Sequence, residues 1–164
     1  MSEVAPFDPE RLLETLSRHR VHFILIGALA ARLHGFPRLT ADADITPAGD
    51  KPNLDRLAAA LNELDAKVYT ESVPEGLAFD CSSATLARAR MWNLVTGAGR
   101  LDIAFEPAGV EGYDDLKKDA ERFEAFGVRF FVASLDDIIR SKEAAGRPKD
   151  LDDVAIMRAM KRMK

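Results

Sequence analysis

Cysteine is almost missing from this chain: Cys81 is the only one in 164 residues. A lone thiol builds neither a disulfide framework nor a cysteine-based zinc site. Long apolar runs are missing too, since none approaches the roughly 20 residues that a bilayer-spanning helix needs. Residues 1–10 carry acids and prolines rather than the basic and apolar regions of a signal peptide. The expected compartment is therefore the cytoplasm, with no membrane partner. Repeats and low-complexity segments are absent as well. An excess of positive charge is also lacking: the net charge is -4, which argues against a protein that coats nucleic acid. That average conceals an asymmetry, because residues 140–164 hold eight Lys/Arg against four Asp/Glu. Such a segment is either a solvated helix face or a local surface for phosphates.

What is present describes an ordinary folded protein, 47% hydrophobic and 30% charged. A chain of this length reads as one domain over residues 1–164, with a core of about 8–132 and C-terminal helices over about 134–162. Its organising stretch is residues 24–46. An apolar run ends at Gly27, small residues follow, Gly35 and Pro37 interrupt, and Asp42 and Asp44 then stand two apart in an otherwise uncharged run. This predicts a strand, a short helix, a loop and a second strand. Side chains alternate along a strand, so Asp42 and Asp44 point to one face and Ala41, Ala43 and Ile45 to the other. Two like charges on one patch repel unless solvated or bridged, and hard oxygen donors suit Mg2+ or Mn2+.

Elsewhere the pattern predicts a helix from Asp8-Pro9-Glu10 to about His19, a buried strand over 21–26, a helix over 28–34 and a strand over 40–46. A helix follows from Pro52 with Leu54, Leu57, Ala58, Leu61 and Leu64 on one face, then a short strand over 66–70. Residues 71–89 read as a loop with at most a brief helix, either a lid or a surface insertion. Residues 91–96 and 100–105 form a hairpin about Gly97-Ala98-Gly99. An amphipathic helix is expected over 113–123, and a strand over 125–132 broken near its start by Gly127. Ser134 and Asp137 suggest a capping box on a helix to Ala145. A last helix over 149–161 is expected to bury Leu151, Val154, Met157 and Met160. Interleaved without a regular βαβ repeat, these elements predict a mixed α/β (α+β) fold: a mixed sheet flanked by helices, with a helical C-terminal extension.

A Gly-small pair closing a strand, followed by Arg38-x-Thr40-x-Asp42-x-Asp44, resembles the DNA polymerase β-like nucleotidyltransferase superfamily, and within it the branch of AbiEii-type abortive-infection toxins. That superfamily's later carboxylate, flanked by apolar residues on a strand, matches Leu101-Asp102-Ile103. Its helical lysine and Arg-x-Lys-Asp motif match Lys142 and Arg147-Pro148-Lys149-Asp150. These elements span residues 27–150, most of the chain. One departure stands out: Ala28 occupies the place where the family has Gly or Ser, so no hydroxyl is offered to phosphate there.

The resemblance implies that Asp42, Asp44 and Asp102 are the catalytic and metal-holding carboxylates, Asp102 also serving as base for the acceptor hydroxyl. Gly27 and Ala28 would offer backbone N–H groups to phosphate at a helix start. Arg38, Thr40, Lys142, Arg147 and Lys149 complete the implied nucleotide and phosphate contacts. Each has a plainer reading: helix–strand packing for Gly27, a pair with Asp42 or Asp44 for Arg38, a strand residue for Thr40, and a surface lysine for Lys142. Asp150 is read as a helix cap and Asp153 as an anchor for Arg or Lys. His34 has no serine, cysteine or second histidine nearby and is read as structural, and Trp92 as core or, on the cleft face, as a base-stacking platform. The implied activity is metal-dependent transfer of a nucleoside monophosphate from an NTP to a hydroxyl on RNA, such as tRNA, or on protein, as a toxin with a cognate antitoxin. The alternatives are transfer to a small molecule such as an aminoglycoside or lincosamide, or an inactive binding module that keeps the fold.

Overall fold

The computed structural model describes residues 5–163. Asp8 accepts the Arg11 N–H at 3.1 Å and Pro9 needs no donor, so helix α1 (Pro9–Arg18) starts where its first orphan N–H is satisfied. Its Leu12, Leu13 and Leu16 are fully buried. Strand β1 (Phe23–Ile26) leads without a break into α2 (Gly27–Leu33), so the helix begins one residue before the expected Ala28. Strand β2 (Asp42–Pro47) starts at the first carboxylate and leaves Thr40 in the loop ahead of it. Helix α3 (Lys51–Glu63) buries Leu54, Leu57, Ala58 and Leu61. Then come β3 (Lys67–Val68), the brief α4 (Ser83–Leu86) and the hairpin of β4 (Met91–Thr96) with β5 (Gly99–Ala104).

The stretch after β5 departs from expectation. Helix α5 covers only Tyr113–Lys117, residues 118–120 turn, and the end of the predicted 113–123 helix is strand β6 (Glu121–Ala125). Strand β7 is Val128–Val132, so Ala125 belongs to β6 and Gly127 to the turn. Phe126 (φ 54°) and Gly127 (φ 75°) are both left-handed, the conformation that joins two twisted strands in two residues. A helix-like spacing of Leu116, Ala120 and Phe123 competes with this turn, and pairing with β7 decides the outcome. Ser134 caps α6 (Leu135–Ala145) by accepting the Asp137 N–H. The Asp137 carboxylate turns to Arg140 instead of completing a box. Gly146, left-handed, ends α6. In α7 (Pro148–Arg162) the buried face is Asp150, Asp153, Val154 and Met157, while Leu151 is 51% exposed. Val154 and Met157 are buried as expected, but Leu151 is not, because Asp150 and Asp153 take the inward positions beside Lys142 of α6.

Seven strands form one mixed sheet in the order β3-β4-β5-β2-β1-β7-β6. Strand β1 is antiparallel to β2 and parallel to β7, and β2 is parallel to β5. One face carries Leu25, Ala43, Ile45, Leu101, Ile103 and Val132, all essentially buried in a core that includes the leucines of α1 and α3. The other face carries the charges.

Candidate active site

Register brings the acidic residues together. Asp44 lies beside Ile26 on one side and Asp102 on the other, and Asp42 lies beside Arg100. Paired residues point to the same side of a sheet, so Asp42, Asp44, Asp102 and Arg100 share one face. Arg100 donates to Asp102 at 2.9 Å and to the Leu94 carbonyl at 3.2 Å, and its guanidinium carbon sits 3.7 Å over the Tyr69 ring. Asp102 therefore has a fixed cationic partner. Burial nonetheless pushes its carboxyl up.

Asp44 has no such partner, and burial, then Asp42, then Asp102 push its carboxyl up to about 7. Gly27 makes the space it occupies: a Cβ on Gly27 would meet Asp44 Oδ2 at 2.4 Å, and its φ of +73° disfavours any side chain. The Thr40 hydroxyl donates to the Asp42 carbonyl at 2.9 Å and lies 3.3 Å from its carboxylate. Among the described residues no three His, Cys, Asp or Glu side chains, Asp42, Asp44 and Asp102 included, are placed to hold a metal ion together. The donor chemistry still suits a hard divalent cation, which would favour the Asp44 anion that burial, Asp42 and Asp102 disfavour.

Beside Asp42 and Asp44 opens a cleft of about 400 Å³, also lined by Gly27, Ala28, Lys142, Arg147 and Lys149. Lys142 Nζ donates to Asp153 at 3.1 Å and is 3.6 Å from Asp150. Arg38 pairs with Asp153 at 2.9 Å, not with Asp42 or Asp44. Arg147 donates through Nε to Asp150 at 2.6 Å, and its backbone N–H reaches the same carboxylate at 3.3 Å. Asp150 thus caps α7 while its neighbour holds it below the usual carboxylate range. Two buried acids one turn apart on α7 hold three cations, of which Lys142 and Arg147 line the cleft. Lys149 lines the rim and, among the described residues, has no carboxylate partner.

Asp153 was legible as an anchor, but its partners were not. Removing it strands Arg38 and Lys142 together, so Asp153→Ala should lower stability by roughly 2–3 kcal/mol. Urea unfolding measures this, and a loss below about 0.5 kcal/mol would reduce the cluster to an ordinary solvated ion pair.

Other residues resolve more simply. His34 donates to the Ala133 carbonyl at 2.8 Å and meets Phe123 edge-on, a structural role. Trp92 is paired with Ile103, on the face away from Asp102, and stacks on Phe79; it does not face the cleft. Burial pushes the Cys81 thiol up to about 11, which leaves it unreactive. Two residues that the motifs did not single out belong to the site. Arg100 could have been found by alternation, two places before Asp102. Asp137 lines the cleft with Oδ2 buried and without a hydrogen-bond partner; as the third residue of a helix it gave no signal beyond capping.

A family model described as a nucleotidyltransferase of unknown function (DUF6036) matches residues 10–163. No curated protein matches the chain in sequence. Among solved structures, a candidate nucleotidyltransferase from Thermotoga maritima is similar over 98% of this chain and 98% of its own, with 17% identity and a TM-score of 0.52. The lincosamide antibiotic adenylyltransferase LnuA, solved with lincomycin bound, is similar over 94% of this chain and 99% of its own, with 12% identity and a TM-score of 0.59. The antibiotic-resistance factor ANT(2'')-Ia is similar over 94% and 89%, with 17% identity and a TM-score of 0.52. At these identities the likeness is one of fold.

Proposed function

The chain belongs to the DUF6036 family of nucleotidyltransferases, and we propose that it moves a nucleoside monophosphate from an NTP to a hydroxyl on RNA. The observation that carries the reading is Asp44, pushed up to about 7 between Asp42 and Asp102 in the space left by Gly27. Asp42, Asp44 and Asp102 would hold Mg2+ or Mn2+, which supplies charge neutralisation at the attacking and departing oxygens. The triphosphate lies in the cleft, with Gly27 and Ala28 at its floor and Lys142, Arg147 and Lys149 at its rim. Ala28 leaves the phosphate contact there to backbone N–H groups. Arg38 and Thr40 act through Asp153 and Asp42, holding Lys142 and the first carboxylate in place. In the transfer, a bond forms between the acceptor oxygen and the α-phosphorus, the bond to the β-phosphate breaks, and pyrophosphate leaves with its electron pair. Asp102 takes the acceptor's proton, Arg100 steadying the carboxylate through Oδ1.

The pattern from Arg38 to Asp44 supports placement in the AbiEii-like branch, with a cognate antitoxin as partner. A second reading has an observation of its own. A hollow of about 420 Å³ at the far end of β2 is lined by Asp50, Glu106, Glu111 and Asp114 against Arg90 alone, which favours a cationic small molecule. One experiment separates the two: each α-labelled NTP with Mg2+ or Mn2+, offered total RNA, total protein, a lincosamide and an aminoglycoside. Label is expected in RNA. Label in a drug alone would establish the second reading, and label in no acceptor would end both.

Lys142 provides a separate check. An ammonium near the β- and γ-phosphates helps bind the triphosphate and stabilises the leaving group. Lys142→Ala should weaken NTP binding by about tenfold or more, roughly 1.4 kcal/mol, with nucleoside monophosphate binding nearly unchanged in calorimetry. An equal loss for both would assign the lysine another task.

A further inference from the structure

Excess positive charge in the sequence concentrates in residues 140–164, yet in the fold much of it is matched. Arg158 pairs with Glu143 at 2.8 Å, Lys161 with Asp136, and Arg147 and Lys142 with Asp150 and Asp153. Among the described residues Lys149 and Arg162 of that segment have no ion pair, but a denser unmatched group lies on another part of the surface. An open hollow of about 520 Å³ between the end of α1, α5 and strands β6 and β7 is lined by Arg20, His22, Lys117, Arg122 and Arg129, and among the described residues no acidic one lines it.

At its centre is Phe131. Lys117 Nζ sits 3.7 Å from that ring's centroid and the Arg122 guanidinium carbon 5.3 Å. Two cations are drawn to one ring, so their mutual repulsion is left for an anion to relieve. Among the described residues Arg20, Lys117 and Arg122 have no carboxylate partner, and Arg129 reaches only the exposed Glu124 at 3.5 Å.

Register connects this hollow to the cleft. Phe131 is paired with Ile24 and with Arg122, and Ile24 is two residues before Ile26, the neighbour of Asp44. All of these point to the same side of the sheet. Two strand spacings and two residues of rise put the Phe131 and Asp44 backbones roughly 12 Å apart. Between them stands α5, with Leu116 lining the cleft and Lys117 the hollow.

We propose that the hollow around Phe131 is where the acceptor RNA's phosphate backbone docks, so that the strand crosses α5 and presents its hydroxyl at the carboxylates. This deepens the proposed transfer to RNA and rests on that reading for its purpose. RNA fits better than an acidic protein because phosphates recur at every nucleotide, as the cations do around the hollow, and the strand has a short path to the cleft.

The test is binding of a fluorescently labelled tRNA and a labelled single-stranded RNA, by anisotropy, with neither NTP nor metal present. Lys117→Gln with Arg122→Gln should weaken binding at least tenfold and lower the slope of log affinity against log salt by about two. Arg158→Gln with Lys161→Gln should leave both unchanged. Equal effects from the two doubles, no RNA binding at all, or binding of polyglutamate in preference to RNA would each overturn the proposal. Thermal melts of both doubles guard against misfolding, and Lys117→Arg should restore binding if charge is what matters. RNA bound through this surface but never labelled would sink the transfer reading and leave the surface standing. RNA labelled equally well by the Lys117/Arg122 variant would sink the surface alone.

Discussion

Asp44→Asn should melt at a higher temperature than the parent protein at pH 8 in the presence of a chelator, although it loses transfer activity. The sign follows from where the proton sits. In the fold the Asp44 carboxyl is pushed up to about 7, against 3.8 for an ordinary aspartate. The folded state therefore binds this proton more tightly than the unfolded chain. The raised value favours the fold below about pH 4, and the advantage is lost as pH rises toward 7, where the anion must form between Asp42 and Asp102. Asparagine never forms that anion. At about 1.4 kcal/mol per unit, the variant should gain roughly 2–4 kcal/mol at pH 8. The gain should shrink steadily to nothing near pH 4. If the carboxylates hold Mn2+ as proposed, the ion should raise the melting temperature of the parent and that of the variant far less. An Asp44→Asn protein that is less stable than the parent at pH 8, or an equal response of both to Mn2+, would show that this carboxylate is not held under repulsion.

The reason this pair was legible in the sequence is that strand alternation is local. Asp42 and Asp44 share a face by counting, and Gly27 at the end of an apolar run announces a sharp change of direction. What placed Asp102 opposite Asp44 is long-range: the parallel pairing of β2 with β5, for which the sequence offers only a resemblance. The cations show the same division. Lys142 and Arg147 entered only through the resemblance, and that Arg38 reaches Asp153, 115 residues away, depends on how α7 packs on α6. For the basic C-terminal segment the sequence shows only a net charge, and counting residues cannot see that Glu143 and Asp136 of α6 lie against Arg158 and Lys161. The β6–β7 hairpin escaped because Phe126 holds a left-handed conformation that normally signals Asn or Gly.

Gly27→Ala should be among the most damaging single substitutions in the chain. Two independent costs meet at that position. A φ of +73° is open to glycine but costs alanine roughly 1–2 kcal/mol. The new Cβ would also fall 2.4 Å from Asp44 Oδ2, 2.9 Å from its Cγ and 3.0 Å from its Cβ, and overpacking of this kind costs roughly 1–3 kcal/mol. Together these predict a loss of about 2–5 kcal/mol, or a melting temperature lower by roughly 5–20 °C. The two costs can be separated, because only one of them involves Asp44. In an Asp44→Ala background the clash with Oδ2 and Cγ is gone while the backbone strain persists, so Gly27→Ala should cost only about half as much. Activity should fall further than stability explains. The displaced Asp44 carboxylate would no longer face Asp102, and a shift of about 1 Å in a reacting constellation can cost on the order of a hundredfold in rate. The measurement is a double-mutant cycle in urea, with transfer assayed at a temperature where every variant is folded. Additive costs would mean that Gly27 serves only the turn. A coupling of about 1 kcal/mol or more would tie the glycine directly to the carboxylate it makes room for.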